Sequence, residues 1–255
     1  MGIRGGYVFC QKVLTYRLCL VIITLSIKCD HISHIAEGKR MSDIIKVLSV
    51  NNEVYGRLRE RITLGVIPPG KKISIRTLAE LFGVSTMPVR EALRMLQAEG
   101  FITFERRSVT VNKLSVEEVK QMFTIRQHLE MLAAEWSLEQ VTNDDIGVLE
   151  DILETMSNPN MDVAEWRKLN KLFHLRFYEC SKSSHMLELI KNVWDKVEPY
   201  MTIYSSSVDD FQEAQIQHRE ILDLIRQRNL TLLLEKIADH LRYTCDVVSK
   251  ALSNK

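Results

Sequence analysis

The last 142 residues of this chain contain very few helix breakers, and this scarcity constrains the fold more than any other feature. They include one glycine, Gly147, and two prolines, Pro159 and Pro199. Because Gly and Pro destabilise helix interiors more than other residues do, such a stretch predicts an all-α bundle. About six helices are expected, over residues 115–139, 143–156, 162–180, 184–204, 209–227 and 230–251.

The first of these helices has a clear start and an apolar stripe. Ser115 followed by Glu118 has the form of a capping box, in which the two residues satisfy each other's backbone N–H groups. Apolar residues follow at helical spacing, and we interpret them as core rather than as a cofactor site. They are Met122, Ile125, Leu129, Leu132 and Ala133.

Residues 52–111 follow a different pattern, in which short helices are separated by glycines. A helix from Asn52 is ended by a Pro-Pro-Gly turn, and Gly83 and Gly100 stop two further helices. Two short strands around a charged turn complete the layout of a winged helix-turn-helix. The later elements are helices 75–82 and 86–99, the last with Val89, Ala92, Leu93 and Leu96 buried, and strands 101–104 and 109–111.

The third helix of this segment is the predicted DNA-reading element. In a helix-turn-helix, the second helix of the pair lies in the major groove and presents its N-terminal residues to base edges. Arg90 and Arg94 are one turn apart, so both project to one side. The alternative is that these arginines are ordinary solvated side chains. The predicted DNA contacts are Arg76, Ser85, Thr86, Met87, Arg90, Arg94, Arg106 and Arg107.

The distribution of charge agrees with a DNA-binding middle segment. The net charge is only +1, but residues 51–113 carry 11 basic and 6 acidic side chains. Residues 114–255 carry 16 basic and 24 acidic side chains, and residues 1–50 carry 7 and 3. Basic segments suit polyanions and acidic segments do not, so DNA is assigned to the middle of the chain.

The first forty residues differ from the rest. Their uninterrupted apolar run, Leu18 to Ile27, is about half as long as a helix needs to be to cross a bilayer. Lys12 and Arg17 lie in or before the apolar stretch, as in a signal peptide, but no small-residue cleavage site follows. We interpret residues 1–40 as a disordered or spurious extension before a fold that begins near Met41. A membrane anchor or signal peptide is the alternative.

The five cysteines show no Cys-x-x-Cys spacing, and their number is odd. A disulfide framework is therefore not expected, and a reducing compartment is favoured. No later stretch approaches membrane-spanning length, so we expect a cytoplasmic protein without a membrane partner.

The middle segment resembles the GntR family of bacterial transcription regulators. The resemblance covers about sixty residues, and its main motifs are Gly-Val-Ile-Pro-Pro-Gly-Lys-Lys-Ile at 65–73 and Leu-Ala-Glu-Leu-Phe-Gly-Val-Ser at 78–85. It implies that Arg76, Arg90 and the wing contact operator DNA. Thr86 replaces the usual basic residue after the capping serine, and Ser108 stands at the usual wing glycine. The operator is therefore expected to differ from the commonest family consensus.

The helical half is similar to the FCD ligand-sensing domain of the FadR-type branch of that family, in its shorter, six-helix form. The matching motifs are Ile-Arg-Gln-His-Leu-Glu at 125–130, Asn-Lys-Leu-Phe-His at 170–174, His-Arg-Glu-Ile-Leu at 218–222 and Ala-Asp-His-Leu at 238–241. The resemblance implies a domain that binds a small effector. We also expect a homodimer held mainly by this half, because a single DNA-binding module reads too short a site for genomic specificity.

Three of the seven histidines form a candidate metal site. His174, His218 and His240 each fall in the middle of a predicted helix among apolar residues, and Asn170 is one turn before His174. Three imidazoles from three helices are a known way to hold a divalent metal with an open position. The alternative for each is a buried histidine bonded to a backbone carbonyl. The resemblance matches all four residues to metal ligands, with Asn170 where relatives carry Asp, so zinc, nickel or manganese remains open.

Arg126 is the candidate effector-binding residue. The resemblance implies that it points towards an acidic effector, whose carboxylate a guanidinium binds with two hydrogen bonds. The alternative is an ion pair with Glu130, four residues on, and both roles are compatible. His128 and His185 are interpreted as surface residues.

These observations predict a mainly α protein with three parts: an extension (1–40), a winged helix-turn-helix domain (41–113) and an all-helical effector and dimerisation domain (114–255). The predicted function is a DNA-binding transcription regulator, in the commoner case a repressor, on a palindromic operator. A small carboxylate bound with a divalent metal would control its affinity for DNA. A constitutive dimeric DNA-binding protein with a metal-free helical domain is the first alternative, and a metal-dependent enzyme is the second. No enzyme motif supports the latter.

Overall fold

The computed structural model describes residues 41–105, 108–207 and 211–253. Apart from the first residues of helix α1, these belong to one compact unit, Leu48–Lys255. The prediction for residues 1–40 and the predicted contacts of Arg106 and Arg107 lie outside the described residues. Along these ranges the elements are α1 (Met41–Thr63), β1 (Lys72–Ile73), α2 (Ile75–Phe82), α3 (Thr86–Ala98), β2 (Ile102–Phe104), β3 (Val109–Val111), α4 (Val116–Gln140), α5 (Asn143–Met156), α6 (Val163–Glu179), α7 (Ser184–Ser207), α8 (Gln212–Arg226) and α9 (Leu230–Ser253).

The winged part, residues 50–111, combines three helices with an antiparallel sheet in the order β1-β3-β2. Ile102 lies opposite Val111, and Phe104 lies opposite Val109. Strand β1 is absent from the sequence prediction, because two residues are too few to show an alternating pattern. Only its pairing with β3 defines it. The predicted winged helix-turn-helix is therefore confirmed, with one additional strand.

The two helices of the helix-turn-helix are set by their ends and by one buried stripe. The Ser74 side chain accepts a hydrogen bond from the Thr77 N–H at the start of α2. Gly83 ends α2 with φ 64°, a left-handed conformation that glycine adopts without strain. Ser85 is at the N-cap position of α3, but its side chain makes no capping hydrogen bond. The predicted stripe of α3, Val89, Ala92, Leu93 and Leu96, is fully buried in the core of the winged part.

The helical part, residues 114–253, forms a six-helix bundle whose bounds agree with the predicted ones to within three residues. The capping box at its start is confirmed: Ser115 Oγ accepts from the Glu118 N–H, and the Glu118 carboxylate accepts from the Ser115 N–H. Helix α4 packs against α7 and α9, while α5 packs against α6 and α8. The largest fully buried side chains are aromatic and come from α6: Tyr178, Phe173 and Phe177.

The predicted core stripe of α4 is wrong in part. Ala133 is buried, but Ile125 is 46% exposed and Leu132 is 39% exposed. The buried face instead carries residues such as Phe123 and Ala134. Helix α4 has apolar residues on several sides, so their spacing did not identify the face that packs inward. The exposed residues leave an apolar surface along this helix.

Helix α7 is the element that joins the helical part to the winged part. The Tyr200 hydroxyl accepts a hydrogen bond from the Leu114 N–H at 2.6 Å. A Cβ atom placed on Gly65 would lie 3.5 Å from Thr202 Oγ1, so the turn after α1 runs close to α7. Pro199 lies inside α7 and the helix continues through it. None of the helices in the described ranges is long and apolar enough to cross a membrane.

Candidate DNA-binding face and metal centre

The start of α3 is exposed, as a DNA-reading helix requires. Ser85, Thr86, Met87 and Arg90 all lie on the surface, and the buried stripe of α3 is on its other side. The N-terminal turn of α3 is therefore free to enter a groove.

The predicted arginines differ in their surroundings. Arg76 and Arg90 are exposed, and neither has an ion-pair partner among the residues that the structure describes. Arg90 borders a surface groove together with Lys72 of β1 and Ser108 of the wing, so α3 and the wing share one face. Arg94 is paired within its own helix with Glu91, at 2.9 Å. Arg90 is accordingly better placed than Arg94 for a base contact.

The three predicted histidines meet inside the bundle. His174 comes from α6, His218 from α8 and His240 from α9, and all three are buried. One ring nitrogen of each lies within 4.8 Å of the others. The Nε2 atoms of His174 and His218 are 3.1 Å apart. Sequence spacing alone could not bring together three residues spread over 67 positions, and the packing of three helices does.

The separation of the two Nε2 atoms fits a shared metal ion. Metal–nitrogen bonds of about 2.0–2.1 Å put neighbouring ligand nitrogens about 2.9–3.4 Å apart, depending on the coordination angle. The 3.1 Å between His174 and His218 falls inside that range. Without a metal, one of these imidazoles has to donate to the other. The buried Nδ1 of His218 has no hydrogen-bond partner in the described part of the chain.

The imidazoles are held in the neutral form that binds metals. Burial, together with the nearby His218, His240 and Arg126, holds the pKa of His174 well below its ordinary value. Burial and His240 do the same to the pKa of His218. Burial, Arg126 and Lys236 lower the pKa of His240 from 6.5 to about 4. Protons therefore compete weakly for these nitrogens near neutral pH.

Gln217 is a site residue that the sequence analysis missed. Its Oε1 atom lies 2.7 Å from His240 Nδ1 and can only accept, so that nitrogen carries the proton. This leaves Nε2 of His240 with its lone pair available to a metal. A residue that hydrogen-bonds the other ring nitrogen of a metal-binding histidine commonly orients that histidine towards the metal. A glutamine beside a histidine in sequence has no distinctive signal, so only the structure reveals this role.

A cavity of about 40 Å³ adjoins the histidines, with room for a few water-sized groups. His174, His240, Asn170 and Arg126 line it, whereas His218 does not border it. The Asn170 side chain has no hydrogen bond within the described residues, so its amide oxygen is available. The structure thus brings the predicted ligands and the predicted effector residue to one place.

Arg126 is held by a buried polar network. Its Nε donates to Glu130 at 2.8 Å, which confirms the intrahelical ion pair that the sequence left as an alternative. Glu130 also accepts from Trp194 Nε1 and from the Tyr178 hydroxyl. The guanidinium lies 5.0 Å from the Trp194 ring. These contacts fix Arg126 while it still faces the cavity, and neither Trp194 nor Tyr178 was predicted as part of the site.

The donor set bears on the choice of metal. Three imidazoles and an amide oxygen suit zinc or nickel, whereas manganese prefers carboxylates and water. The carboxylates at the cavity are already engaged: Glu130 by its three partners, and Glu198 by Arg167. Asn170 itself is neutral. The residues fit a borderline divalent ion that keeps positions open for another ligand.

Comparisons with known proteins agree with both halves of the chain. Residues 50–111 match the model of the bacterial regulatory proteins of the gntR family, and residues 121–243 match the FCD domain. The Bacillus subtilis HTH-type transcriptional regulator YdhC is 27% identical over 206 residues, 78% of this chain and 91% of its own. The Bacillus subtilis gluconate operon transcriptional repressor is also 27% identical, over 74% of this chain and 81% of its own.

Solved structures show the same fold. Escherichia coli McbR/YncC superposes with a TM-score of 0.70 at 21% identity, over 79% of this chain and 97% of its own. A putative GntR regulator from Rhodococcus sp. RHA1 has a TM-score of 0.60 at 20% identity, over 81% and 99%. The chain belongs to the gntR family of bacterial regulatory proteins, in the FadR-type branch, as a DNA-binding transcription regulator, not an enzyme, with an FCD ligand-binding domain.

Proposed function

We propose that this protein is a repressor whose affinity for its operator is set by a small carboxylate effector, bound with a divalent metal in the cavity of the helical part. The observation that carries the proposal is the meeting of three buried, neutral imidazoles beside Arg126. The Nε2 atoms of His174 and His218 lie 3.1 Å apart, which is the separation of two nitrogens that share one metal ion.

In this proposal His174, His218 and His240 supply nitrogen ligands, and Asn170 supplies a weaker oxygen ligand. The metal, when bound, contributes two positive charges and open coordination positions. Gln217 keeps His240 in the tautomer that can bind it. Relatives of the family place a carboxylate where Asn170 stands, so this site has less negative charge than theirs.

The charge balance of the cavity favours an anionic effector. Two cationic side chains and one anionic side chain line it, and each already has a partner. Arg126 pairs with Glu130, Lys171 pairs with Asp195, and Glu198 pairs with Arg167. A dication held only by neutral ligands therefore adds charge that no side chain of the cavity offsets. A carboxylate effector supplies that offset, with one oxygen on the metal and another on Arg126.

The same proposal assigns DNA contacts to the exposed start of α3, to Arg76 and to the wing, including Arg106 and Arg107. The bacterial relatives RspR and the gluconate operon regulator are named repressors, which favours repression over activation. The expected operator is palindromic, because a single winged helix reads too short a site for genomic specificity and two copies double it.

We further propose that a second copy of the chain covers the exposed apolar residues of α4. Ile125, Leu132 and Trp136 are exposed and lie seven and four residues apart, so they share one face. A symmetric dimer through α4 would place two winged parts on half-sites about one helical turn of DNA apart. Neither residues 41–47 nor any residue of the winged part is needed for this contact.

The experiment that tests the metal and the effector together is a thermal-shift titration of the full chain. Protein purified without chelator is analysed for bound metal, and its unfolding is then followed with zinc, nickel or manganese and with small carboxylic acids. A ligand that binds only the folded state stabilises it by about 2.7 kcal/mol at a hundred times its dissociation constant. We expect acids to stabilise the metal-bound protein more than the chelated protein.

His218→Ala and the surface control His128→Ala separate the site from general effects. We expect His218→Ala to lose the shifts caused by both metal and acid, and His128→Ala to retain them. If no metal is found, and if no added metal or acid changes unfolding or operator affinity, the three histidines are core residues. The protein would then be a constitutive DNA-binding dimer.

A further inference from the structure

A continuous chain of ion pairs connects the effector cavity to the winged part. Lys171 Nζ lies 2.8 Å from Asp195 Oδ1, and the other oxygen of that carboxylate, Oδ2, lies 2.8 Å from Nη2 of Arg59. The Nε of Arg59 donates to Glu99 at 3.0 Å. Lys171 belongs to α6 and Asp195 to α7, whereas Arg59 belongs to α1 and Glu99 caps the end of α3.

At one end of this series of ion pairs, Lys171 belongs to the proposed effector site. Lys171 lines the same cavity as Arg126 and follows Asn170 directly in sequence. Its ammonium lies 5.8 Å from the Trp194 ring, and the Arg126 guanidinium lies 5.0 Å from the same ring. Two cations that line one cavity and share one indole are arranged to receive more than one anionic group.

The other end reaches the helix that carries the predicted base contacts. Glu99 follows the last residue of α3, and it also accepts a hydrogen bond from the Tyr55 hydroxyl of α1. The Arg59 guanidinium lies 5.3 Å from the ring of Phe101, which is part of the core of the winged part. The position of Arg59 is therefore tied to the packing of α1 against α3.

Asp195 is the residue at which the series of ion pairs passes from the helical part to the winged part. Its side chain is only 12% exposed and contacts two cations that belong to different parts of the protein. Pro199 lies four residues later in α7, so the backbone carbonyl of Asp195 lacks its normal helical hydrogen bond. Helix α7 is thus least constrained at the residue that joins the two parts.

We propose that Lys171 is a second anion-binding residue of the effector cavity and that the effector carries two anionic groups. Binding of the second group to Lys171 changes the contacts of Asp195, and through Asp195 it changes the contacts of Arg59 and Glu99. This inference rests on the proposed function, because it requires an effector in the cavity. One anionic group lies at Arg126 and the metal, and the other displaces Asp195 from the ammonium of Lys171.

The physical effect is a weaker hold of the helical part on the winged part. An effector anion at Lys171 brings a second negative charge next to the Asp195 carboxylate, and like charges at this distance repel. Asp195 then moves with α7 about Pro199, and its contact with Arg59 changes. An effector can shift the protein between two conformations only if it binds one of them more tightly than the other. Here the conformation in which Asp195 has left Lys171 is bound more tightly, because the effector contacts Lys171 only in that conformation.

The first arm of the test asks what Lys171 binds. Full-length, zinc-loaded protein is titrated with succinate, which has two carboxylates, and with acetate, which has one. We expect wild type to bind succinate at least tenfold more tightly than acetate. Lys171→Met, which keeps the aliphatic stem, should reduce that preference to less than threefold and leave acetate binding unchanged. A full dianion preference in Lys171→Met would overturn the assignment of Lys171.

The second arm asks what Asp195 transmits. Operator affinity is measured by fluorescence anisotropy, with and without succinate, on a duplex selected from a random pool. We expect Asp195→Asn to bind succinate at least as tightly as wild type, because no carboxylate competes for Lys171, but to lose the effect of succinate on operator affinity. The control is Glu220→Gln, which removes a Lys–Glu pair between α8 and α9 away from the winged part and should respond as wild type does.

The outcomes separate this inference from the proposed function. If succinate changes the operator affinity of wild type and of Asp195→Asn equally, the coupling is refuted while the effector site stands. If wild type itself binds neither carboxylate with any metal, the effector part of the proposed function fails, and this inference fails with it. If Asp195→Asn and Glu220→Gln both lose the response, the effect is not specific to the ion-pair chain and the inference is overturned.

Discussion

Lowering the pH should destabilise the metal-free protein through His240. Burial, Arg126 and Lys236 lower the pKa of this imidazole from 6.5 to about 4. Between these two values the unfolded chain takes up a proton at this residue and the folded chain does not. The free energy of unfolding therefore falls as the pH drops from about 7 towards 4. His240 alone accounts for a loss of about 2 kcal/mol between pH 7 and pH 5, and His174 and His218 act in the same direction.

The assay is urea unfolding of chelator-treated protein at pH 7 and pH 5, with His240→Asn as the comparison. Asparagine keeps an N–H that can reach Gln217 but has no group that titrates in this range. The difference between wild type and variant removes the contributions of the many carboxylates, which both proteins share. We expect wild type to lose about 2 kcal/mol more than the variant. Equal losses would show that His240 is not held neutral by its surroundings, and the reasoning would be refuted.

Five further substitutions test other parts of the molecule. Arg90→Ala should weaken binding to a selected operator by about 1–3 kcal/mol. Arg94→Ala should weaken it by less, because the Arg94 side chain is already paired within α3. Equal effects of the two substitutions in anisotropy titrations would contradict the placement of Arg90. Asn170→Asp should tighten zinc binding in competition titrations, since it adds a charged ligand, and unchanged affinity would remove this residue from the site. Gln217→Leu should weaken zinc binding about 10–100-fold, and a smaller effect would mean that the tautomer of its partner is set otherwise. Trp136→Glu should give a monomer in light scattering at micromolar concentration, and a persistent dimer would place the interface elsewhere.

Most of the fold could be predicted from the sequence because its signals are local. The ends of α2 and α4 are set by Gly83 and by the capping box of Ser115 and Glu118, which act over a few residues. Where a signal is not local, the prediction fails. Strand β1 exists only through its partner β3, and the exposed face of α4 depends on how α7 and α9 pack against it.

The residues of the candidate site also fall into two groups: those that the sequence could predict and those that only the packing of the helices reveals. Histidines and Arg126 could be proposed because their residue types are uncommon in apolar helices and match a known family. Gln217, Trp194 and Glu130 could not, because glutamine, tryptophan and glutamate are ordinary residues in a helix. Their roles follow from contacts with His240 and Arg126 that arise only when the helices pack.

The ion-pair chain shows why coupling between domains is the hardest feature to predict from sequence. Arg59 and Asp195 are 136 positions apart, and in the sequence each looks like an ordinary charged residue on the surface of a helix. An exposed pair of this kind contributes little to stability, so its presence alone would mean little. What distinguishes it is that Asp195 is nearly buried and contacts Lys171 at a ligand cavity on one side and Arg59 at a DNA-binding domain on the other. In the proposed site Asn170 would leave the metal without a charged ligand, so an anion entering the cavity would have more cationic charge to compensate than Arg126 alone provides. Lys171 is the next cation it meets, and an anion bound there brings negative charge beside the carboxylate of Asp195.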